Sequence, residues 1–167
     1  LSFLSKNIKL VIVGDGPDFF KIRNLVRNKK DLKDRIILLG RQPENYLQTI
    51  MSFCHIGIVI YTLVGKNNYF CASNKIYDYT QAKIPIVCSS QPVFKNIVRK
   101  YKIGEIFEIS NKFNYSFEIA KSISMVMENY ENYKSNLSLF NAENDCKLEQ
   151  EKLLLRISEL IKSSQKI

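Results

Sequence analysis

The chain has 167 residues and a formal net charge of +9, with 46% hydrophobic and 25% charged residues. This balance excludes a disordered chain and leaves room for one ordinary domain with its own hydrophobic core. No apolar run approaches the ~20 residues needed to cross a bilayer, and the first residues lack the pattern of a secretory signal. We therefore expect a cytoplasmic domain.

The cysteines and the single histidine offer no spacing that is typical of a metal site. No two of the four cysteines form a C-x-x-C pair, and His55 has no second histidine to act with it. The sequence also contains no D-x-D motif. We expect a domain that uses neither a metal nor another cofactor.

The positive charge is concentrated in the first part of the chain. Residues 1–103 contain 17 Lys and Arg against 6 Asp and Glu, a net charge of +11, whereas residues 104–167 carry −2. The compositional bias of an A+T-rich genome and an anionic partner are both explanations of this excess. Lys95, Arg99 and Lys102 stand at helical spacing and form either a solvated basic face or a contact with anionic lipid.

Apolar runs alternate with amphipathic segments along most of the chain. The predicted strands cover residues 7–13, 35–39, 56–61, 85–88 and 104–109. The predicted helices cover residues 17–30, 43–54, 73–82, 92–101, 115–130, 131–142 and 147–163. Such alternation indicates an α/β fold, a Rossmann-like parallel sheet with helices on both faces and a helical C-terminal tail. We interpret residues 1–167 as one domain, with 115–167 as its helical C-terminal part.

Ligands of such folds bind where the parallel strands end, close to helix N-termini. In this sequence the rule points to Gly14–Pro17, Gly40–Pro43 and the loop Thr62–Asn74. Gly14 and Gly16 follow the first strand directly, and glycines let backbone N–H groups approach a phosphate. The same glycines are also explained as a purely structural turn into a helix.

The start of the helix at residue 73 combines several side chains suited to an anion. Ser73 and Asn74 stand where free helical N–H groups favour a diphosphate. Lys75 places a cation in the first turn, where the helix dipole disfavours it, and a bound anion would account for that. Asp78, one turn further on, can accept hydrogen bonds from a sugar diol. The alternative is an N-cap, a solvated lysine and an ordinary helical aspartate.

The order of these motifs resembles a known family. The motifs are G-D-G-P at Gly14–Pro17, L-G-R at Leu39–Arg41, S-N-K-I-Y-D-Y at Ser73–Tyr79 and K-I-P-I-V at Lys83–Val87. Together they resemble the C-terminal, donor-binding domain of retaining glycosyltransferases of the GT-B fold, the glycosyl transferases of group 1. The resemblance covers roughly residues 1–130 and points to the bacterial enzymes that build capsule, lipopolysaccharide or exopolysaccharide.

The resemblance implies a role for each matching residue. Gly14 and Gly16 would lie beside the nucleotide of the donor, and Arg41 would lie where main-chain atoms meet the base. Ser73 and Asn74 would present their amides and side chains to the diphosphate. The donor implied is a UDP- or GDP-linked sugar.

The sequence departs from the family pattern at two positions. Asp78 takes the place of a glutamate that holds the ribose hydroxyls and is one methylene shorter, while Phe70 replaces another glutamate that contacts the sugar. The resemblance also places the acceptor-binding domain, the first strand and a phosphate-binding Arg…Lys pair before residue 1. We therefore expect the isolated chain to show little turnover. Because its sheet would lack a middle strand, we also expect it to self-associate or to show an altered strand order.

The function implied is transfer of a hexose, with retention, from the nucleotide sugar to a glycan or lipid-linked acceptor in cell-surface polysaccharide synthesis. The enzyme would work in the cytoplasm, with peripheral contact at the inner face of the membrane as an option. One alternative is a nucleotide-sugar 2-epimerase, which shares the fold and the donor site. The other is a non-catalytic basic module that binds nucleotide or nucleic acid, although the sequence shows no RNP-like aromatic pattern and no helix-turn-helix. We expect no nucleic-acid partner.

Overall fold

The structure, a computed structural model, describes residues 1–109 and 115–164. The strands are β1 (Leu10–Val13), β2 (Ile36–Gly40), β3 (Gly57–Val59), β4 (Ile86–Ser89) and β5 (Gly104–Phe107). The helices are α1 (Phe19–Asn28), α2 (Lys30–Lys33), α3 (Glu44–Ser52), α4 (Lys66–Tyr69), α5 (Asn74–Gln81), α6 (Pro92–Tyr101), α7 (Tyr115–Glu128), α8 (Tyr130–Glu143) and α9 (Cys146–Ser164). Of the expected C-terminal part, residues 165–167 lie outside the described residues.

All strand pairs of the described residues are parallel, and they form two sheets. β1 pairs with β2, while β3, β4 and β5 form a second sheet in that order. The predicted Rossmann-like class, with flanking helices and a helical C-terminal region, is confirmed. The five strands do not form one continuous sheet, because β1 and β3 are each hydrogen-bonded to a single neighbour within the described part of the chain.

The core lies on both faces of β4, whose four residues are all buried. Because successive side chains of a strand point to opposite faces, Ile86 and Cys88 pack on one face and Val87 on the other. Residues of α5, α6 and α8 cover the first face, and residues of α7 cover the second. Helices therefore lie on both sides of the second sheet.

Two local differences from the predicted elements have physical reasons. The predicted loop after β3 contains a helical turn, α4, which begins after Gly65 at a φ of +83°. The sequence pattern of residues 17–30 predicts that Phe19, Ile22, Leu25 and Val26 share one helical face. In the structure Leu25 is 49% exposed, and Val26 is the only residue of α1 that is buried. A two-stranded sheet covers only a narrow stripe of a helix, and Leu25 lies about 100° around the helix from Val26.

Arg35 ties the first residues of the chain to β2. Its guanidinium donates hydrogen bonds to the carbonyl oxygens of Leu1, Leu4, Ser5 and Ile8, at distances between 2.7 and 3.3 Å. Leu4 also packs against the hydrophobic cluster between α7 and the second sheet. The N-terminal segment thus joins the two sheets, and one cation of the basic region has a structural role.

Candidate functional site

The segments after β1 and β2 lie next to each other. The Gly14 N–H donates a hydrogen bond to the Gly40 carbonyl oxygen at 2.7 Å, and both glycines have positive φ, +134° and +65°. An L side chain is strained in either conformation. Because of its bond to Gly40, the Gly14 N–H is not free to bind a ligand. The other two candidate residues at this end of the first sheet, Gly16 and Arg41, are exposed.

A second group of candidate residues lies at the start of α5. Ser73 is the N-cap, and its Oγ accepts a hydrogen bond from the Lys75 N–H at 3.3 Å, as the capping pattern predicts. Ser73 is buried, whereas Asn74, Lys75 and Asp78 are exposed. The Ser73 hydroxyl is therefore occupied by the helix, and the neighbouring side chains face solvent.

The first turn of α5 is positively charged. It contains no acidic residue, and the positive end of the helix dipole lies at the same place as Lys75. The ion pairs within residues 1–109 and 115–164 involve other cations, so Lys75 has no carboxylate partner there. Its Nζ lies 5.8 Å from the centre of the Tyr61 ring. The positive end of the helix dipole and the Lys75 ammonium together suit a phosphate or diphosphate.

The helix α5 lies directly against β3 because Gly57 has no side chain. A Cβ at this position would come within 2.3 Å of the Tyr79 ring. Burial raises the pKa of Tyr79, with smaller contributions from Cys54 and Asp78. Tyr79 therefore faces the interior, and Asp78, the next residue along α5, is exposed.

The loop between β3 and α5 is internally bonded. The Asn68 side-chain amide donates hydrogen bonds to the Thr62 Oγ1 at 3.1 Å and to the Val64 carbonyl oxygen at 3.2 Å. Phe70 is 63% exposed and contacts the Tyr69 ring edge to face. The loop therefore presents an apolar ring at the position where the resemblance implies a carboxylate.

Tyr61 and Gln91 are residues of this region that the sequence patterns do not single out. The Tyr61 hydroxyl lies 3.2 Å from the Ser73 Oγ, and the Gln91 side chain bonds the Tyr61 carbonyl oxygen at 2.9 Å. A usable signal for Tyr61 was its place at the end of an apolar strand, directly before the polar loop.

The structure thus brings the candidate residues together in two groups, one after β1 and β2 and one at the start of α5. No hydrogen bond or ion pair among the described residues joins Gly14, Gly16 or Arg41 to Asn74 or Asp78. Within the same residues, no cluster of three or more His, Cys, Asp or Glu is placed to hold a metal ion. None of the described helices is both long enough and apolar enough to span a membrane.

Comparison with known proteins identifies the family. The family model described as glycosyl transferases group 1 matches residues 3–137. The crystal structure of HepE from Anabaena in complex with UDP is 15% identical, with a TM-score of 0.66, over 96% of this chain and 42% of HepE. The structure of WaaG, a glycosyltransferase involved in lipopolysaccharide biosynthesis, is 10% identical, with a TM-score of 0.61, over 86% of this chain and 37% of WaaG.

The two solved structures confirm the fold, and the chain spans about two fifths of their length. A search of curated proteins found no match. The match to the family model extends over most of the chain, from the N-terminal segment held by Arg35 to the second half of α8. It agrees with the resemblance seen in the motifs, and the chain therefore belongs to the glycosyl transferases group 1 family.

Proposed function

We propose that this chain is the donor-binding domain of a retaining glycosyltransferase. The whole enzyme would transfer a hexose from a nucleoside diphosphate sugar to a glycan or lipid-linked acceptor in cell-surface polysaccharide synthesis. The observation that carries the proposal is the positively charged start of α5, where Lys75 has no carboxylate partner among the described residues. The structural neighbour HepE was solved with UDP, which supports a nucleotide as the ligand.

In this proposal the N–H and side chain of Asn74, together with the Lys75 ammonium, bind the diphosphate. Charge grows on the diphosphate as it leaves the sugar, and fixed dipoles and cations aimed at that charge lower the barrier. Asp78 accepts hydrogen bonds from the ribose hydroxyls one turn along α5. Gly14, Gly16 and Arg41 contact the nucleotide from the ends of β1 and β2.

The proposal extends to where the enzyme works. We place it in the cytoplasm, with peripheral contact at the anionic inner face of the membrane. Part of the predicted basic face supports such a contact, since Arg99 on α6 and Lys102 directly after it are exposed. Lys95, on the same helix, is instead paired with Glu108 at 2.8 Å and is less available. The acceptor would be bound by a further domain, so this chain alone would show little turnover.

A thermal-shift panel of UDP, GDP, ADP and single-stranded RNA tests the proposal. A ligand that binds only the folded state adds ~2.7 kcal/mol of stability at ~100 times its Kd. We expect UDP or GDP to raise the Tm and Lys75→Gln to reduce that increase. Lys83→Gln is the matched control, because Lys83 is exposed just beyond the other end of α5.

The other outcomes of the panel have definite meanings. Stabilisation by RNA alone would favour the basic binding module and contradict the proposal. If UDP raises the Tm of Lys75→Gln and Lys83→Gln by the same amount, the diphosphate does not bind at the start of α5. A separate assay with a nucleotide sugar and no acceptor identifies the 2-epimerase, which would convert the sugar to its 2-epimer.

A further inference from the structure

Gln91 is a polar residue with no exposed surface, and its side chain is fully bonded. It follows β4 at the N-cap position of α6, and its relative exposure is 0%. Its Nε2 donates hydrogen bonds to the carbonyl oxygens of Tyr61, at 2.9 Å, and Thr62, at 3.3 Å. Its Oε1 accepts a hydrogen bond from the Ser89 hydroxyl at 2.6 Å. A buried amide with this many partners fixes the backbone that it contacts.

Ser89 binds the other backbone polar group of the same residue, Tyr61. The Tyr61 N–H donates to the Ser89 Oγ at 2.9 Å. The N–H and the carbonyl oxygen of Tyr61 are therefore both held by side chains from the end of β4. The last backbone pair of the two strands is Val59 with Cys88. Ser89 and Gln91 thus continue the link between the strands two residues beyond the end of the ladder.

Tyr61 connects the end of β4 to the start of α5 through its side chain. Its ring packs against Phe94 on α6, with the ring centres 5.8 Å apart. Its hydroxyl lies 3.2 Å from the Oγ of Ser73, which caps α5 through the Lys75 N–H. Tyr61 therefore contacts both ends of the loop of residues 62–72. It directly precedes the loop in the chain, and its hydroxyl contacts Ser73, which directly follows the loop.

We infer that Gln91, with Ser89, is a positioning residue for the start of α5 and for the loop of residues 62–72. Its hydrogen bonds go to Tyr61, Thr62 and Ser89 and to none of the exposed candidate residues, so it acts on the start of α5 through Tyr61 and Ser73. The expected effect of Gln91 on UDP binding rests on the proposed function. The expected effects on the free protein, an ordered Lys75 N–H and slow hydrogen exchange in the loop, are independent of the proposed function.

The test compares Gln91→Met, which should affect the start of α5, with a control variant that removes a hydrogen bond near the other end of α5. Methionine has nearly the length of glutamine but forms none of its hydrogen bonds. Asn141→Leu is the control, because the Asn141 side-chain amide donates to the Thr80 carbonyl oxygen at 2.8 Å, near the C-terminus of α5. Ser89→Ala is a milder variant that removes only one hydroxyl. The readouts are the amide resonance of Lys75, hydrogen exchange of residues 62–75, and the Kd for UDP.

We expect Gln91→Met and Ser89→Ala to shift the Lys75 amide resonance and to speed up exchange in residues 62–75, whereas Asn141→Leu leaves both unchanged. The Kd for UDP should rise about tenfold in Gln91→Met, which corresponds to the loss of one hydrogen bond. If Gln91→Met does not fold, Ser89→Ala decides the question. Unchanged exchange and an unchanged Lys75 resonance would overturn the inference. Failure of the parent chain to bind any nucleotide would overturn the proposed function alone.

Discussion

The hydroxyl of Tyr61 and the hydroxyl of Ser73 lie 3.2 Å apart, although 12 residues separate them in sequence. Ser73 is only 4% exposed, so its Oγ depends on protein partners for its hydrogen bonds. The contact joins the end of β3 to the start of α5 across the whole intervening loop. A tyrosine that looks like the last apolar residue of a strand is therefore part of the candidate site.

Tyr61→Phe should loosen the start of α5 with little damage to the core. The ring still packs against Phe94, but the Ser73 Oγ loses one partner. We expect a loss of about 0.5–1.5 kcal/mol in the free energy of unfolding, together with weaker UDP binding. Denaturant unfolding and isothermal titration calorimetry measure the two effects.

Tyr101→Phe is the control for that change. The Tyr101 hydroxyl donates to the Glu143 carboxylate at 2.8 Å, away from the start of α5. Its removal should lower stability by a similar amount and leave the Kd for UDP unchanged. If both variants bind UDP as the parent does, Tyr61 has only a structural role.

The sequence predicted the features of the fold that depend on neighbouring residues. The bounds of α6, Pro92–Tyr101, match the prediction because proline favours the first turn of a helix and the amphipathic pattern is short and regular. Ser73 was predicted as an N-cap for the same reason, since capping involves only the next two or three residues. The division into two sheets was not predicted as such, because strand pairing joins segments that are distant in the chain.

The candidate site shows the same limit. The sequence can propose Ser73, Lys75 and Asp78 as candidates because they lie close together at the start of a single helix. Gln91 was missed because its hydrogen bond to Tyr61 spans 30 residues, and a glutamine after a strand has no distinctive pattern. The sequence pattern likewise predicts only the start of a strand at Arg35, although its guanidinium donates to four backbone carbonyl oxygens.

Asp78→Ala should weaken nucleoside diphosphate binding and leave folding intact. The side chain is exposed on α5 and is proposed to accept hydrogen bonds from the ribose. Loss of hydrogen bonds to a charged group should cost about 1.5–3 kcal/mol of binding free energy. Calorimetry with UDP and GDP measures this, and Glu128→Ala on α7 serves as a control that removes an exposed carboxylate elsewhere. A large fall in Tm without ligand would instead show that Asp78 supports the helix.

Tyr133 should make the protein lose stability at high pH. Burial and the hydrogen bond that its hydroxyl donates to Glu105 raise the pKa of Tyr133 to about 12. In the unfolded chain a tyrosine ionises near pH ~10. Its contribution is therefore complete below pH ~10 and is lost as the pH rises towards ~12, because the unfolded state releases the proton first.

Chemical denaturation at a series of pH values between about 8 and 11.5 tests this. Tyr133→Phe should be less stable than the parent at pH ~8, and the gap should narrow as the pH rises. Tyr46→Phe, at a tyrosine that is 55% exposed on α3, should follow the parent at every pH. A gap of constant size would show that Tyr133 contributes through packing alone.

The free edges of β1 and β3 should make the isolated chain self-associate. Each strand is paired on one side only within the described residues, and Val13 and Ile60 near these edges are 38% and 53% exposed. Unpaired N–H and C=O groups beside apolar side chains are a template for another strand. We expect light scattering to show a dimer or larger species, together with only weak nucleotide binding.

Two substitutions distinguish the strand edges from the other exposed apolar surface. Val13→Lys should shift the population towards monomer, because a lysine at an edge opposes strand pairing. Leu154→Lys, at a leucine that is 65% exposed on α9, should leave the association unchanged. If Leu154→Lys dissociates the oligomer and Val13→Lys does not, the helix rather than the strand edge holds the copies together. A monomeric parent chain that binds UDP or GDP at micromolar concentration would contradict the prediction altogether, since open edges would then recruit no second copy and the phosphate-binding pair implied by the resemblance would not be needed.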